Sequence, residues 1–279
     1  MEQQPGISLQ RFVRSIYNAV DYPLRNFFQF RRGTPKLINE PKEDLFRDLP
    51  EPDRKRAEDR AQELIRRYRL EMFADRSSRD IFRKNLYYLD LLETALKTIN
   101  LNLPDPLLAA DVGSSHWFYV QGFWSGLSWF ESGHQREVEL HGYEPDAYRV
   151  YHDWRSRYDY ARAFLGGLDQ VLYHPAPFSS QPGRFDLITQ FFPFVYLDDH
   201  LAWGLPRRLH IPEELLEDMF ASLHEQGALL IVNQGKAEHE QQMKLIDQKL
   251  GIVPQYFKFK SLMYSYETPS WVIIFQKRS

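Results

Sequence analysis

The sequence predicts an α/β fold in which helices cover both faces of a mostly parallel sheet. Over residues 107–279, short apolar runs alternate with longer amphipathic stretches, which is typical of strand–helix–strand units. Two of these runs, LLAADV at 107–112 and ALLIVN at 228–233, lack polar alternation and fit strands buried on both sides. The last two apolar runs, 257–266 and 271–277, leave no room for a helix between them, so we expect that pair to be antiparallel.

The remaining elements follow from periodicity and from turn residues. Five strands are predicted before the final pair, at 107–112, 138–143, 170–173, 185–190 and 228–233. Four helices are predicted between them, at 116–129, 146–164, 212–226 and 236–250. Ligands of such sheets bind beyond the carboxyl ends of the strands, so these ends are where functional residues are expected.

The first part of the chain has a different composition and predicts a helical accessory region. Residues 1–106 contain 20 basic and 17 acidic residues, whereas the whole chain has a net charge of −3. Helical spacing is found at 7–30, interrupted at Pro23, and at 53–74 and 78–100, the last with Ser77 or Ser78 as N-cap. A proline-rich connection occupies 33–53. We therefore expect two domains, 1–106 and 107–279.

The composition excludes several classes of function. The chain has no cysteine, so thiol catalysis, disulfides and Cys-ligated zinc are excluded. A pI of about 6.3 argues against a general nucleic-acid binder, and no nucleic-acid partner is expected. No run approaches ~18 consecutive apolar residues, and the first residues do not resemble a secretory signal, so a cytoplasmic location is expected.

Two neighbouring strand ends carry the residues typical of a ligand site. The first strand is followed by Asp111-Val112-Gly113-Ser114-Ser115-His116, where glycine allows close approach of a ligand and the serines offer hydroxyls and a helix cap. A helix N-terminus at this turn would suit a carboxylate or phosphate. The second strand is followed by Glu144, whose carboxylate can accept hydrogen bonds from the vicinal hydroxyls of a ribose. The absence of G-x-G-x-x-G disfavours NAD.

With these motifs, 107–279 resembles the class I S-adenosylmethionine-dependent methyltransferase superfamily. Asp111-Val112-Gly113 resembles the family's first motif, Glu144 its acidic second motif, 185–188 (FDLI) its fourth strand, and SWVIIFQK its reversed last strand. The resemblance implies a Rossmann-like seven-stranded sheet with an antiparallel last strand, S-adenosylmethionine as cofactor and a small-molecule acceptor. It implies cofactor contacts from the following residues: Asp111, Gly113, Ser114, Ser115, Glu144, Gln190 and Phe191.

Gln190 begins Gln190-Phe191-Phe192-Pro193-Phe194, at the place where amino-group methyltransferases carry an amide, prolines and an aromatic residue. Core and lid packing is the alternative interpretation of this segment. His116 and His200 are the other catalytic candidates, His116 because a helix N-terminus would keep its imidazole neutral. Asp198, Asp199 and His200 could supply a base or a metal ligand, but adjacent residues cannot all face one point, and no metal site is assigned.

Two further segments of the chain are rich in charged residues. Glu238-His239-Glu240 is expected on a solvated helix face. Residues 7–32 intersperse arginines among aromatic residues and could lie on an anionic membrane, cover the cleft, or pack on the sheet with arginines outward. The third placement is the one favoured here.

The functional hypothesis is a methyltransferase with an apolar or aromatic acceptor pocket bordered by residues 191–206. Its alternative is a non-catalytic binding or scaffold protein of the same fold, with a glycine-poor first motif and a basic N-terminal arm that contacts a partner or membrane. A third hypothesis, another ribose-containing ligand such as a nucleotide sugar, shares Glu144.

Overall fold

The computed structural model describes residues 9–277, and Ile7 and Ser8 of the predicted first helix lie outside the described residues. In this described part of the chain, seven strands form one sheet: β1 (Leu107–Val112), β2 (Val138–Tyr143), β3 (Val171–His174), β4 (Phe185–Phe191), β5 (Leu223–Gln234), β6 (Gln255–Phe259) and β7 (Ser270–Gln276). Their order in the sheet is β3-β2-β1-β4-β5-β7-β6. Pairing is parallel from β3 through β5, and β7 is antiparallel to both of its neighbours, which confirms the predicted fold class.

Within residues 9–277, eight α-helices surround the sheet: α1 (Leu9–Phe28), α2 (Glu51–Tyr68), α3 (Arg79–Thr98), α4 (Val120–Trp129), α5 (Arg157–Leu165), α6 (Leu197–Ala202), α7 (Pro212–Ser222) and α8 (Gly235–Leu250). A short 3₁₀ helix, Leu70–Arg76, separates α2 from α3. Successive residues of the central strands point to opposite sheet faces, and both faces are covered. In β5, Leu230 and Val232 belong to the core shared with α3 and α4, while Leu229 and Ile231 belong to the core shared with α7 and α8.

Four predicted helices have different bounds. The helix predicted at 212–226 ends at Ser222, because β5 already begins at Leu223. The helix predicted at 53–74 ends at Tyr68, because Arg69 adopts a left-handed conformation with φ of 55°. The helix predicted at 116–129 begins only at Val120, since Ser115 and Trp117 have positive φ. Of the helix predicted at 146–164, only α5 forms, and Ser156 caps it with a reciprocal capping box.

The N-terminal region contains both confirmed and wrong predictions. Ser78 caps α3, as expected, by accepting a hydrogen bond from the backbone N–H of Ile81. Pro23 does not interrupt α1, which runs through it. The region is also continuous with the sheet, because Leu86, Leu89 and other buried residues of α3 share one core with β1 and β5. The division into domains at residue 106 stays a prediction.

Candidate functional site

A cavity of about 740 Å³ lies at the carboxyl ends of the parallel strands, near the switch point where the chain order reverses between β1 and β4. The strand ends contribute Gly113, Glu144 and Gln190 to its lining. The segment that follows β4 lines it as well, including Phe192, Phe194, His200 and Trp203. The structure therefore brings together the strand-end residues that the sequence singled out.

Gly113 has the left-handed conformation that favours glycine, with φ of 82°. A Cβ atom at this position would meet nothing within 4 Å, so the turn is open toward the cavity. The backbone N–H groups of Gly113 and Ser114 donate to the carbonyl of Tyr143 at 2.9 and 3.2 Å. These amides hold β1 and β2 together, so they do not form the anion-binding helix N-terminus that was expected there.

Ser114 and Ser115 do not cap the helix after β1, because α4 begins five residues later and its N-cap is Tyr119. The buried Ser114 hydroxyl donates to the Tyr143 carbonyl at 3.4 Å. The Ser115 carbonyl accepts a hydrogen bond from the Tyr173 hydroxyl at 2.6 Å. Both serines line the cavity, and both fix the turn internally.

The Glu144 carboxylate lies at the centre of this turn. One oxygen accepts from the Ser115 N–H and the other from the Asp146 N–H, both at 2.8 Å. The Arg157 guanidinium lies 3.5 Å from Glu144 and 3.3 Å from Asp146. Burial raises the pKa of Glu144, while Arg157 opposes the shift by favouring the ionised carboxylate. The acid is therefore held in one orientation at the cavity wall.

Asp111 is fully buried below the turn and serves as a structural anchor. Its two carboxylate oxygens accept from the hydroxyls of Tyr119 at 2.7 Å and Thr189 at 2.8 Å. Burial raises its pKa to about 6, even though both hydroxyls favour the ionised form. Asp111 thus ties β1 to β4 and to the start of α4, and it is not among the residues that line the cavity.

His116 lines the cavity beside the glycine turn. Its Nδ1 atom lies 2.9 Å from the Tyr151 hydroxyl and 3.3 Å from the Ser115 hydroxyl. Burial lowers its pKa to about 4, with a smaller contribution from the positive charge of Arg157. The lowered pKa favours the neutral imidazole. Its main cause is burial, and no helix N-terminus contributes, since α4 begins at Val120.

Residues 198–200 lie on the short helix α6, which the sequence did not predict, and their side chains have different surroundings. Asp198 is exposed and paired with Arg11, whereas Asp199 lines the cavity. His200 is buried, with Nε2 3.0 Å from the Pro206 carbonyl. Among residues 9–277, no group of three or more His, Cys, Asp or Glu side chains could hold a metal ion.

Sequence reasoning missed the wall opposite the strand ends. Lys84 and Tyr88 of α3 line it together with Tyr264 and Tyr266 from the β6–β7 connection. The hydroxyls of Tyr88 and Tyr266 are 3.0 Å apart, and the Lys84 ammonium lies 5.0 Å from the centre of the Tyr264 ring. These residues are about 180 positions apart in the chain, so no local motif could have associated them.

The solvated helix face predicted for Glu238-His239-Glu240 is confirmed for Glu240, which is exposed, and is wrong for Glu238 and His239. Glu238 lines the cavity and accepts from the N–H of Gln234 at 2.8 Å, which holds the start of α8. His239 is buried and stacks on Trp271, with 4.7 Å between ring centres. The first turn of α8 therefore belongs to the cavity wall and to the core.

No protein-family model matches this sequence, and the comparison with curated proteins gives no match. Among solved structures, the chain is similar to a SAM-dependent methyltransferase from Leishmania major, at 13% identity and a TM-score of 0.48, over 69% of this chain and 73% of that one. It is also similar to a methyltransferase from Pyrococcus furiosus, at 20% identity and a TM-score of 0.45, over 70% and 85% of the two chains. A SAM-dependent methyltransferase from Aquifex aeolicus is similar at 17% identity and a TM-score of 0.42, over 66% and 87%.

The sheet itself defines the fold. Its seven strands have the order β3-β2-β1-β4-β5-β7-β6, and β7 is antiparallel to both of its neighbours. Helices cover both faces of the sheet. The chain therefore has a Rossmann-like fold, with a mostly parallel seven-stranded sheet.

Proposed function

We propose that this protein is an S-adenosylmethionine-dependent methyltransferase whose methyl donor binds at the ends of β1 and β2. The observation that supports this most is the pairing of an open glycine turn with a fixed carboxylate. Gly113 faces the cavity without a neighbouring atom where a Cβ would stand, and the next strand end places Glu144 beside the same turn. The two features occur in one cavity large enough for a donor and an acceptor together.

The residues present fit the ribose of such a donor. A carboxylate offers about four lone-pair positions, and Glu144 uses one on each oxygen for the N–H groups of Ser115 and Asp146. Each oxygen can therefore accept one further hydrogen bond, which matches a pair of vicinal hydroxyls. The Arg157 charge favours the ionised carboxylate that this role requires.

The bound sulfonium supplies an already activated methyl group, so the protein's contribution is chiefly alignment and exclusion of water. His116 suits this environment because its lowered pKa keeps the imidazole uncharged near a cationic donor. As a neutral ring held by Tyr151, it can accept a hydrogen bond and orient an acceptor group. The catalytic roles of His116, Gln190 and His200 are part of this proposal.

We assign the acceptor to the aromatic part of the cavity. The ring of Tyr88 contacts Phe118 and Phe192, and the ring of Tyr266 contacts Phe192 and Tyr264; all of these residues line the cavity. Such a wall favours a small aromatic or apolar acceptor, since aromatic rings pack edge to face with one another. This supports the predicted acceptor class without identifying the molecule.

The test is calorimetric titration of the full chain with S-adenosylhomocysteine. Gly113→Ala adds a methyl group that projects into the cavity, and we expect at least a tenfold loss of affinity. Gly251→Ala is the matched control, because Gly251 also has positive φ (62°) and open space but caps α8. Both variants place alanine at a positive φ with open space around it, so a loss confined to Gly113→Ala reports the ligand site.

Glu144→Gln tests the ribose contact separately. We expect a tenfold or greater loss of affinity, with retained folding checked by circular dichroism, because glutamine removes one acceptor oxygen and the negative charge. Unchanged affinity in this variant would show that Glu144 is not the ribose ligand. No binding by the wild-type chain at millimolar ligand would contradict the methyltransferase proposal and favour a non-catalytic protein of this fold.

A further inference from the structure

Helix α1 presents its apolar side to solvent. Apolar residues recur at three- and four-residue spacing along it and form one continuous stripe. The members of this stripe are between 49% and 81% exposed: Phe12, Val13, Ile16, Tyr17, Val20, Leu24, Phe27 and Phe28. The placement favoured from the sequence, with arginines outward and aromatic residues against the protein, is therefore wrong for α1.

The polar side of α1 fixes this orientation. The buried Asn18 side chain donates to the carbonyls of Leu201 and Leu205 at 2.9 and 3.0 Å. The Tyr22 hydroxyl donates to the Pro145 carbonyl at 2.9 Å. Rotating the apolar stripe inward would break each of these bonds and leave buried polar groups without partners.

Arg25 strengthens the attachment through charge. Its guanidinium lies 3.0 Å from the buried carboxylate of Asp146 and donates to the Gly204 carbonyl at 3.0 Å. Asp146 in turn donates its backbone N–H to Glu144. The helix is therefore attached to the wall of the cavity, and the exposed stripe is a stable feature of the folded chain.

The segment that carries the stripe is strongly basic. Residues 9–36 contain six basic residues and one acidic residue, in a chain whose net charge is −3. The acid, Asp21, is paired with Arg25, and the nearby Asp198 is paired with Arg11. Arg14 is exposed on the helix, and Arg31, Arg32 and Lys36 are exposed directly after it. The segment that bears the stripe therefore carries excess positive charge.

We propose that α1 docks on an anionic lipid bilayer, lying in the plane of the interface with its stripe in the headgroup region. An apolar helix face rich in Phe, flanked by arginines, is the pattern that binds such surfaces, through buried apolar area and attraction to anionic lipids. A second copy of the chain fits less well, because a two-fold contact would place the same basic segment against itself. No helix within residues 9–277 is long and apolar enough to cross a bilayer, so the contact is peripheral in this proposal.

Docking through α1 also has a geometric consequence for the cavity. The carbonyls that hold Asn18 belong to Leu201 and Leu205, and Leu205 is part of the cavity lining. A bilayer bound to the outer side of α1 would therefore lie one helix diameter, roughly 10 Å, from the segment that follows β4. The lipid proposal does not depend on the methyltransferase proposal, since the stripe and its charge are independent of any ligand.

The experiment is co-sedimentation of the full chain with large unilamellar vesicles. Vesicles of phosphatidylcholine with 30% phosphatidylserine are compared with pure phosphatidylcholine vesicles at ~0.1 M salt. We expect binding at least tenfold stronger to the anionic vesicles. Val20→Glu and Phe27→Ser, at positions 60% and 81% exposed, should each reduce it at least tenfold without loss of the native circular dichroism spectrum.

The matched control is Val253→Glu, because Val253 is 93% exposed and precedes β6, outside the stripe. It should bind vesicles like the wild type. Equal reduction by Val253→Glu, equal binding to both vesicle types, or no binding at all would each overturn the proposal. A dimer that light scattering detects in the wild type and not in Val20→Glu, without vesicle binding, would assign the stripe to a second copy instead.

Discussion

Helices α1 and α3 are both 20 residues long and both amphipathic, yet they bury opposite sides. In α3, twelve residues are buried, most of them apolar and packed against α4 and the sheet. In the described part of α1, the buried residues are Asn18 and Tyr22, and the apolar stripe faces outward. Periodicity therefore indicates that a helix has an apolar side, whereas the partners of its polar side determine where that apolar side points.

The largest effect that tests this comparison is on stability. Leu89→Ala in α3 removes a fully buried side chain and should lower the free energy of unfolding by about 2–5 kcal/mol. Ile16→Ala on α1, at a position 53% exposed, should change it by less than about 0.5 kcal/mol. Urea unfolding of both variants measures the difference. A cost for Ile16→Ala that approaches that of Leu89→Ala would show that the stripe is buried in the folded chain.

Two glycines outside the helices give the same comparison between a tightly packed position and an open one. At Gly142 in β2, a Cβ would stand 2.6 Å from the ring of the buried Trp117, whereas at Gly133 it would meet nothing within 4 Å. Gly142→Ala should therefore destabilise the protein by about 1–3 kcal/mol through overpacking, and Gly133→Ala should be close to neutral. Thermal and urea unfolding compare the pair. Equal effects would contradict the packing of Trp117 on β2.

A smaller effect is expected from the titration of Asp111. Because burial raises its pKa to about 6, the folded state keeps a proton that the unfolded chain releases. The proton bound to Asp111 stabilises the folded state, fully so below the pKa of Asp in the unfolded chain. This stabilisation is lost as the pH rises through about 6, so the free energy of unfolding should fall by on the order of 1 kcal/mol between pH 5 and 7.5. Asp111→Asn has no ionisable group at this position. Its free energy of unfolding, relative to that of the wild type, should therefore increase as the pH rises from 5 to 7.5.

The measurement is urea unfolding of wild type and Asp111→Asn at both pH values. Taking the difference cancels other groups, including His116, whose lowered pKa acts in the opposite direction by reducing stability as the pH falls toward about 4. A wild-type-to-variant difference that does not change with pH would contradict the burial of an ionisable Asp111.

Much of the fold could be predicted because the strands are defined locally. The bounds of β1 and β2 agree with the prediction, since each is an apolar run that ends at turn residues. The stretch 146–156 could not be predicted, because its conformation depends on distant partners. Asp146 is held by Arg25, Arg149 and Arg157, and these contacts replace the helix that local spacing favoured.

The candidate site also contains residues that could be predicted from the sequence and residues that could not. Gly113 and Glu144 could be located from the sequence, since the carboxyl ends of adjacent parallel strands meet at one sheet edge. Their partners could not, because the Ser115 N–H that holds Glu144 depends on the left-handed turn at that residue. The aromatic wall formed by Tyr88 and Tyr266 joins two segments that are distant in sequence, and only the folded chain brings them together.

We propose that the cavity at the ends of β1 and β2 binds the methyl donor, S-adenosylmethionine. The most direct measurement is a crystal structure of the full chain with S-adenosylhomocysteine. We expect ligand density beside Gly113, with the two ribose hydroxyls within hydrogen-bond distance, about 2.6–3.2 Å, of the Glu144 carboxylate. An empty cavity at saturating ligand, or a ribose bound away from Glu144, would contradict this proposal.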